Sequence, residues 1–122
     1  MSKLEVSARP TIRRGKLEGF KEQAAECIRQ TKEKDRKTLR YDWFISNDET
    51  ECEIRELYES ADGLVEHRKH IGEALDKLFT EFADDHAVSV YGEPSPEPLE
   101  MAKRMSPGRV KWYSFRGLDF ED

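Results

Sequence analysis

The stretch from residue 51 to residue 82 limits the possible folds of this chain more than any other segment. The residues ECEIRELYE have the apolar alternation of a strand, and a helical pattern begins directly after them at Ser60. Apolar side chains then recur at helical spacing as far as Phe82, which is typical of a helix with one buried face. Strand and helix patterns on both sides of this segment leave very few choices of fold.

Patterns elsewhere in the chain complete the order of elements. Helical spacing predicts a first helix from Lys16 to about Lys34, and a polar turn at residues 46–49 joins two strands into a hairpin. Alternating apolar residues predict four strands, at residues 4–12, 39–45, 52–58 and 86–91. The order β-α-β-β-α-β predicts an α+β, ferredoxin-like domain with both helices on one face of a four-stranded antiparallel sheet.

The open face of that sheet raises the question of what covers it. Tyr41, Trp43 and Tyr58 do not all fit beneath the helices beside the aliphatic strand residues, so we expect large side chains to point outward. Hydrophobic residues make up only 36% of the chain, which leaves a thin core for a monomer. Because an exposed apolar face is normally covered, we predict a homodimer that forms through the sheet faces.

The chain divides into a domain at residues 1–92 and a C-terminal extension at residues 93–122. Ser95 and Pro96 predict the start of a short helix, and residues 110–115 predict a last strand. The extension ends in the acidic and aromatic residues GLDFED. We expect it to pack on the same domain or on the partner subunit, and the sequence leaves both alternatives open.

Charge and composition exclude several classes of partner. The formal net charge is −5, with 21 basic residues interleaved among 26 acidic ones, so there is no basic field to attract nucleic acid. No apolar run is long enough to span a membrane, and the charged first fifteen residues do not resemble a signal peptide. Cys27 and Cys52 lack CxxC spacing, which predicts reduced thiols and a cytoplasmic protein.

Three segments taken together resemble the antibiotic biosynthesis monooxygenase (ABM) domain. They are GKLEGFKEQAAECIRQT, RYDWFISND and IRELYESADGLVEHRKH. Their most specific parts are the glycine and lysine that open the first helix and the junction Tyr58-Glu59-Ser60 followed by His67. The resemblance covers roughly residues 4–92 and implies a ferredoxin-like chain that pairs into a dimeric α/β barrel.

The resemblance also implies a choice of activities. Some members of the family oxygenate phenolic polyketides or quinols without metal or flavin, and others degrade haem. The haem-degrading branch carries an asparagine on the first strand, whereas this strand reads LEVSARPTI, which argues against haem chemistry. We therefore expect a cofactor-independent monooxygenase that oxidises a quinol or phenolic aromatic substrate. The alternative is a non-catalytic dimeric protein of the same fold that binds a small ligand.

His67 is the candidate catalytic residue. Cofactor-free oxygenation needs a base that deprotonates the substrate in an apolar cavity, and an imidazole titrates near neutral pH. His67 would serve as this base or as a partner of the oxyanion. In the alternative interpretation, His67 only bonds a strand carbonyl or Glu59 and thereby holds the helix to the sheet.

The candidate substrate-binding residues are Tyr41, Trp43, Tyr58 and Glu56. The aromatic residues could line a pocket for a planar ligand, or they could form the core of a dimer interface. Glu56 alternates in phase with Tyr58, so it is either a partly buried carboxylate with a raised pKa or the partner of Arg40 or Arg55 in an interface salt bridge.

Two further histidines receive less specific interpretations. His70 lies three residues after His67, a spacing that can hold a metal, but no clear third ligand follows. We therefore expect a solvated or interfacial role for His70 and no metal. His86 follows Asp84 and Asp85, and we expect it to interact with the dipole at a helix end.

Overall fold

The computed structural model describes residues 3–93, 97, 100 and 109–120. Two helices and five strands make an α+β domain. Their bounds are β1 Leu4–Ile12, α1 Leu17–Lys34, β2 Thr38–Ile45, β3 Cys52–Tyr58, α2 Ala61–Glu81, β4 Ala83–Tyr91 and β5 Val110–Tyr113. Most of the predicted helix that begins near residue 95 lies outside the described residues, although Glu97 and Glu100 are helical.

The strands form one sheet in the order β2-β3-β1-β4-β5. The first four strands are antiparallel to their neighbours, and β5 adds to β4 in parallel. The predicted ferredoxin-like unit is therefore confirmed, with one extra strand at its edge. The indole Nε1 of Trp112 donates a hydrogen bond to the Gly92 carbonyl oxygen at 2.8 Å, which fixes β5 to the end of β4.

Strand β4 is longer than the sequence pattern indicates, because it begins at Ala83 directly after α2. Its pairing with β1 shifts register between Arg9 and Thr11, around Pro10, which has no N–H to donate. Asp85 lies opposite this shift with a positive φ of 47°. The pairing of β1 is thus irregular at its proline, and the partner strand bulges with it.

Tyr41, Trp43 and Tyr58 all lie on the helix side of the sheet. Tyr58 is fully buried, and register pairs Tyr41 with Glu56 and Trp43 with Ile54, so these residues share one face with the core. Gly63 makes room for them, since a Cβ there would lie 2.9 Å from the Cβ of Tyr58. The three aromatic residues therefore fit beneath the helices together, while Leu39, Phe44 and Tyr91 are among the large side chains left exposed.

The outer face of the sheet is instead mainly polar. Arg40 pairs with Asp42 at 2.7 Å, and Arg55 lies 3.9 Å from Glu5. Apolar exceptions lie towards the sheet edges, where Phe44, Tyr91 and Tyr113 are exposed. Within the described part of the chain, no helix has the length and apolar character needed to cross a membrane.

Candidate active site

A small cavity lies between α2 and the inner face of the sheet. Its volume is about 40 Å³, enough for roughly one to three water molecules. Aliphatic side chains from the strands and from α2 form most of the wall. Five side chains with polar groups also line it, namely Tyr41, Glu56, His67, Arg68 and His86. Polar side chains that converge on an apolar cavity are the usual composition of a ligand site.

His67 lies on the second turn of α2 and is only 2% exposed. Its Nδ1 lies 2.8 Å from Oδ2 of Asp35, so Nδ1 bonds this carboxylate and not a strand carbonyl or Glu59. The Tyr41 ring packs edge-on against the imidazole, with ring centroids 4.5 Å apart. Helix packing and one hydrogen bond therefore hold the ring in a single orientation at the cavity wall.

Asp35 is the residue that organises the histidines. It caps the C-terminus of α1, where its backbone N–H donates to the Thr31 carbonyl oxygen. Its buried side chain accepts hydrogen bonds from His67, His70 and Thr38. Burial alone raises the pKa of this carboxyl, but these hydrogen bonds outweigh it and lower the pKa to about 2. Asp35 is therefore ionised at neutral pH.

An ionised Asp35 fixes the tautomer of His67. The carboxylate only accepts hydrogen bonds, so Nδ1 of His67 carries a hydrogen, and in the neutral imidazole it is Nε2 that holds the lone pair. A base of this kind is oriented by a third group, as in other catalytic arrangements of carboxylate and imidazole. The sequence pattern gives no local signal of this contact, because Asp35 lies 32 positions before His67.

His70 joins the same arrangement from the next turn of α2. Its Nδ1 lies 2.6 Å from Oδ1 of Asp35, and its side chain is 29% exposed. The expected solvated role is thus only partly right, since one ring nitrogen is engaged. Among the residues that the structure describes, no three His, Cys, Asp or Glu side chains are grouped so that they could hold a metal ion.

Glu56 is a buried carboxyl beneath α2. The Tyr58 hydroxyl donates a hydrogen bond to Oε1 of Glu56. Burial raises the pKa of Glu56, and the nearby His67 and the bond from Tyr58 oppose that rise only in part. The alternative of an interface salt bridge to Arg40 or Arg55 is wrong, because both arginines lie on the outer face and contact other carboxylates there.

The structure brings three of the five predicted site residues to the cavity wall, namely His67, Tyr41 and Glu56. Tyr58 lies behind them, with its ring centroid 5.6 Å from that of His67. Trp43 packs against Phe20 and Tyr41. These two aromatic residues support the wall without lining the cavity.

Arg68 and His86 are site residues that the sequence pattern did not identify as such. Burial lowers the pKa of Arg68, although Asp76 and Glu56 lie near enough to oppose this. His86 belongs to β4 and not to a helix end, so the expected dipole interaction is wrong. It stacks on Phe79 at 4.2 Å, and burial, assisted by Arg68, lowers the pKa of His86 to about 4. His86 is therefore uncharged at neutral pH.

A larger open cleft adjoins the cavity. Its volume is about 730 Å³, and it shares Arg68, Leu75 and His86 with the cavity wall. These three side chains thus separate the solvent-exposed cleft from the buried polar groups around His67. An arginine at this position can open a passage between cleft and cavity, because its long side chain can change conformation without moving the helix.

Solved structures share this fold over most of the chain. MupZ from Pseudomonas fluorescens is 22% identical with a TM-score of 0.74, and the match covers 93% of this chain and 90% of that protein. Rv0793 from Mycobacterium tuberculosis is 24% identical with a TM-score of 0.66, and the match covers 79% of this chain and 99% of that protein.

A protein named antibiotic biosynthesis monooxygenase is also similar. It is 18% identical with a TM-score of 0.65, and the match covers 76% of this chain and 99% of that protein. No protein-family model matches the chain, and no curated protein does either. The resemblance to ABM proteins is confirmed at the level of the fold, which is what likeness at these identities establishes.

Proposed function

We propose that this protein is a cofactor-independent monooxygenase that oxidises a quinol or phenolic aromatic substrate with O2. The observation that carries the proposal is the buried imidazole of His67, whose Nδ1 is held by the ionised Asp35 at the wall of an apolar cavity. This arrangement leaves Nε2 as a base for a phenol hydroxyl. The shared fold with ABM proteins supports the same class of reaction.

In the proposed reaction, the protein supplies a base and a cavity that excludes water. Nε2 of His67 takes the phenol proton, and the phenolate transfers one electron to O2, giving a substrate radical and superoxide. These recombine through a new C–O bond to a peroxide. Cleavage of the O–O bond then leaves one oxygen on the ring as a carbonyl and releases the other as water. The imidazolium stabilises the phenolate and returns the proton to the peroxide.

The cavity must enlarge before it can hold an aromatic ring. Its volume of about 40 Å³ is well below that of typical ligand pockets, which hold several hundred Å³. The cleft of about 730 Å³ lies against the same side chains, so displacement of Arg68 and His86 would join the two spaces. We propose this as the route by which the substrate reaches His67.

Oxygen consumption with a panel of hydroquinones and naphthols tests the proposal. We expect turnover by the unaltered protein with at least one of these phenols, and incorporation of one atom of labelled O2 into the product. His67→Gln, which keeps the side-chain volume similar, should lower the rate by roughly 100-fold or more, as loss of a general base does. Lys77→Ala, an exposed change on the same helix, is the matched control and should leave the rate unchanged.

The outcomes separate the proposed enzyme from a binding protein. If no phenol is consumed while aromatic ligands still bind, the chain is a small-ligand-binding protein and the oxygenase proposal is wrong. If His67→Gln retains full turnover and its thermal unfolding resembles that of the unaltered protein, oxygenation proceeds without His67 and the assigned base is wrong.

We further propose that the protein is a homodimer of the cytoplasm. Alternating charges on the outer face, such as Glu5 beside Arg55, are self-complementary, and the exposed Phe44, Tyr91 and Tyr113 add apolar contacts. Free buried thiols fit a reducing compartment. Light scattering should give twice the 14.3 kDa chain mass, and a particle of single-chain mass at micromolar concentration would contradict the dimer.

A further inference from the structure

Arg68 carries two buried donors that find no acceptor. Its Nε and Nη1 atoms are inaccessible to solvent and have no hydrogen-bond partner among the residues that the structure describes. An unsatisfied donor on a charged group is expensive, because burial removes the water that would otherwise accept its hydrogen bond. Donors left unpaired in this way usually mark a place where a ligand or ordered water supplies the acceptor.

The position of Arg68 suits a ligand bound next to His67. The two residues are neighbours on α2, and both side chains line the cavity. Arg68 also lines the adjoining cleft, so a substrate that enters from the cleft reaches the guanidinium on its way to the imidazole. One helix therefore presents a base and a fixed positive charge to the same small space.

The charges around Arg68 leave room for a negative ligand. Glu56 faces it from β3, but burial raises the pKa of Glu56 and so disfavours its anion. In the cleft that Arg68 also lines, Lys69, Asp76, Asp85 and Glu97 are exposed, and Asp84 pairs with Arg13. His86 on β4 is uncharged at neutral pH because its pKa is about 4. The nearby hydroxyls of Tyr41 and Tyr58 keep their protons, since burial raises their pKa values well above 10.

The geometry points to Arg68 as the residue that binds the oxyanion of the substrate, so that the preferred ligand is an aromatic phenol bound in its ionised form. This inference rests on the proposed function, because the oxygen that Arg68 binds is the one that His67 deprotonates. The guanidinium N–H groups donate to the phenolate oxygen and to the developing peroxide. Arg68 is then a catalytic residue through direct contact with the reacting oxygen, and it selects for ligands with an acidic hydroxyl group.

Binding of 4-nitrophenol without turnover tests this inference. The absorbance of this chromophoric phenol reports its own ionisation, so its apparent pKa can be measured free and bound, in the absence of O2. We expect the bound probe to ionise about one to two pH units lower than the free probe, equivalent to a ten- to hundredfold tighter binding of the phenolate. Hydrogen bonds to a charged group have about this strength.

Four variants divide the shift between the two candidate groups. Arg68→Met keeps the length of the side chain but removes charge and donors, and it should abolish the shift. Arg68→Lys keeps the charge and should retain part of it, and it also serves if the methionine variant does not fold. His67→Gln should keep most of the shift, and Lys77→Met, which removes an exposed charge from the same helix, should keep all of it.

Each result has a defined meaning. A shift that survives in folded Arg68→Met, a bound probe that titrates like the free one, or no binding to the unaltered protein at millimolar concentration overturns the role of Arg68. A protein that lowers the pKa of the probe but consumes no O2 supports the role of Arg68 and refutes the oxygenase. Turnover without the shift refutes only the role of Arg68.

Discussion

Replacement of Asp35 by asparagine should remove a pH-dependent part of the stability of the fold. The pKa of this carboxyl falls from an ordinary 3.8 to about 2 in the folded chain, since hydrogen bonds from His67, Thr38 and His70 outweigh its burial. Each pKa unit is equivalent to about 1.4 kcal/mol. The ionised carboxylate therefore contributes about 2 kcal/mol to the free energy of unfolding, an order-of-magnitude value for a side chain that is 1% exposed.

The sign of the pH dependence follows from the direction of this shift. Because the pKa is lower in the folded chain, the unfolded chain binds a proton first as the pH falls. The stabilisation is fully present above pH 3.8 and is lost as the pH falls through about 2. The difference in stability between the unaltered protein and Asp35→Asn should therefore shrink by about 2 kcal/mol over this window.

Urea unfolding followed by circular dichroism at pH 6, 4, 3 and 2 measures this difference directly. Asp62→Asn, an exposed change in the first turn of α2, is a control for the loss of a surface carboxylate. A difference between the unaltered protein and Asp35→Asn that stays the same from pH 6 to pH 2 would refute the reasoning, because Asp35 would then titrate alike in the folded and unfolded chains.

Three other changes test the packing of the fold. Gly63→Ala should destabilise the protein by about 1–3 kcal/mol through overpacking. Gly72→Ala on the same helix, where a Cβ meets nothing within 4 Å, should stabilise it by roughly 0.5–1 kcal/mol. Urea unfolding compares the two variants, and equal effects would contradict the close contact between Gly63 and Tyr58. Trp112→Phe removes the hydrogen bond from the indole to the Gly92 carbonyl oxygen and should lower the free energy of unfolding by about 1 kcal/mol. We expect the amides of β5 to exchange hydrogen faster in this variant. Cys27 and Cys52, whose pKa values burial raises to about 12, should resist a thiol reagent at pH 8 until denaturant is added, and rapid labelling of the native protein would disprove their burial.

The order of elements was predictable because each depends on residues close in sequence. The alternation in ECEIRELYE and the apolar stripe that ends near Phe82 needed no knowledge of distant contacts. The start of β4 was placed too late, since Asp84 and Asp85 interrupt the alternation at the bulge.

The orientation of the aromatic residues required information that the alternation does not contain. A strand pattern shows which residues share a face, but only the register between β2 and β3 places Tyr41 and Trp43 on the same side as Tyr58. The volume beneath the helices also depends on small residues from other elements, such as Gly63. The aromatic residues alone therefore do not show which large side chains fit beneath the helices.

His67, Tyr41 and Glu56 were predictable as residues of the candidate site, whereas Asp35 and Arg68 were not. His67 follows from the chemistry of an imidazole on a buried helix face, whereas Asp35 contacts it across 32 residues of sequence and gives no local signal. Arg68 was missed because an arginine on an amphipathic helix is normally solvated. Its burial becomes apparent only when β4 and His86 are seen to close over it.

Asp35 has one role in the fold and another in the candidate site. The same residue terminates the first helix through its main chain and aligns two imidazoles through its carboxylate. An insertion or deletion in the short connection between that helix and β2 would therefore move the carboxylate away from His67 and His70 even where the sheet still assembles.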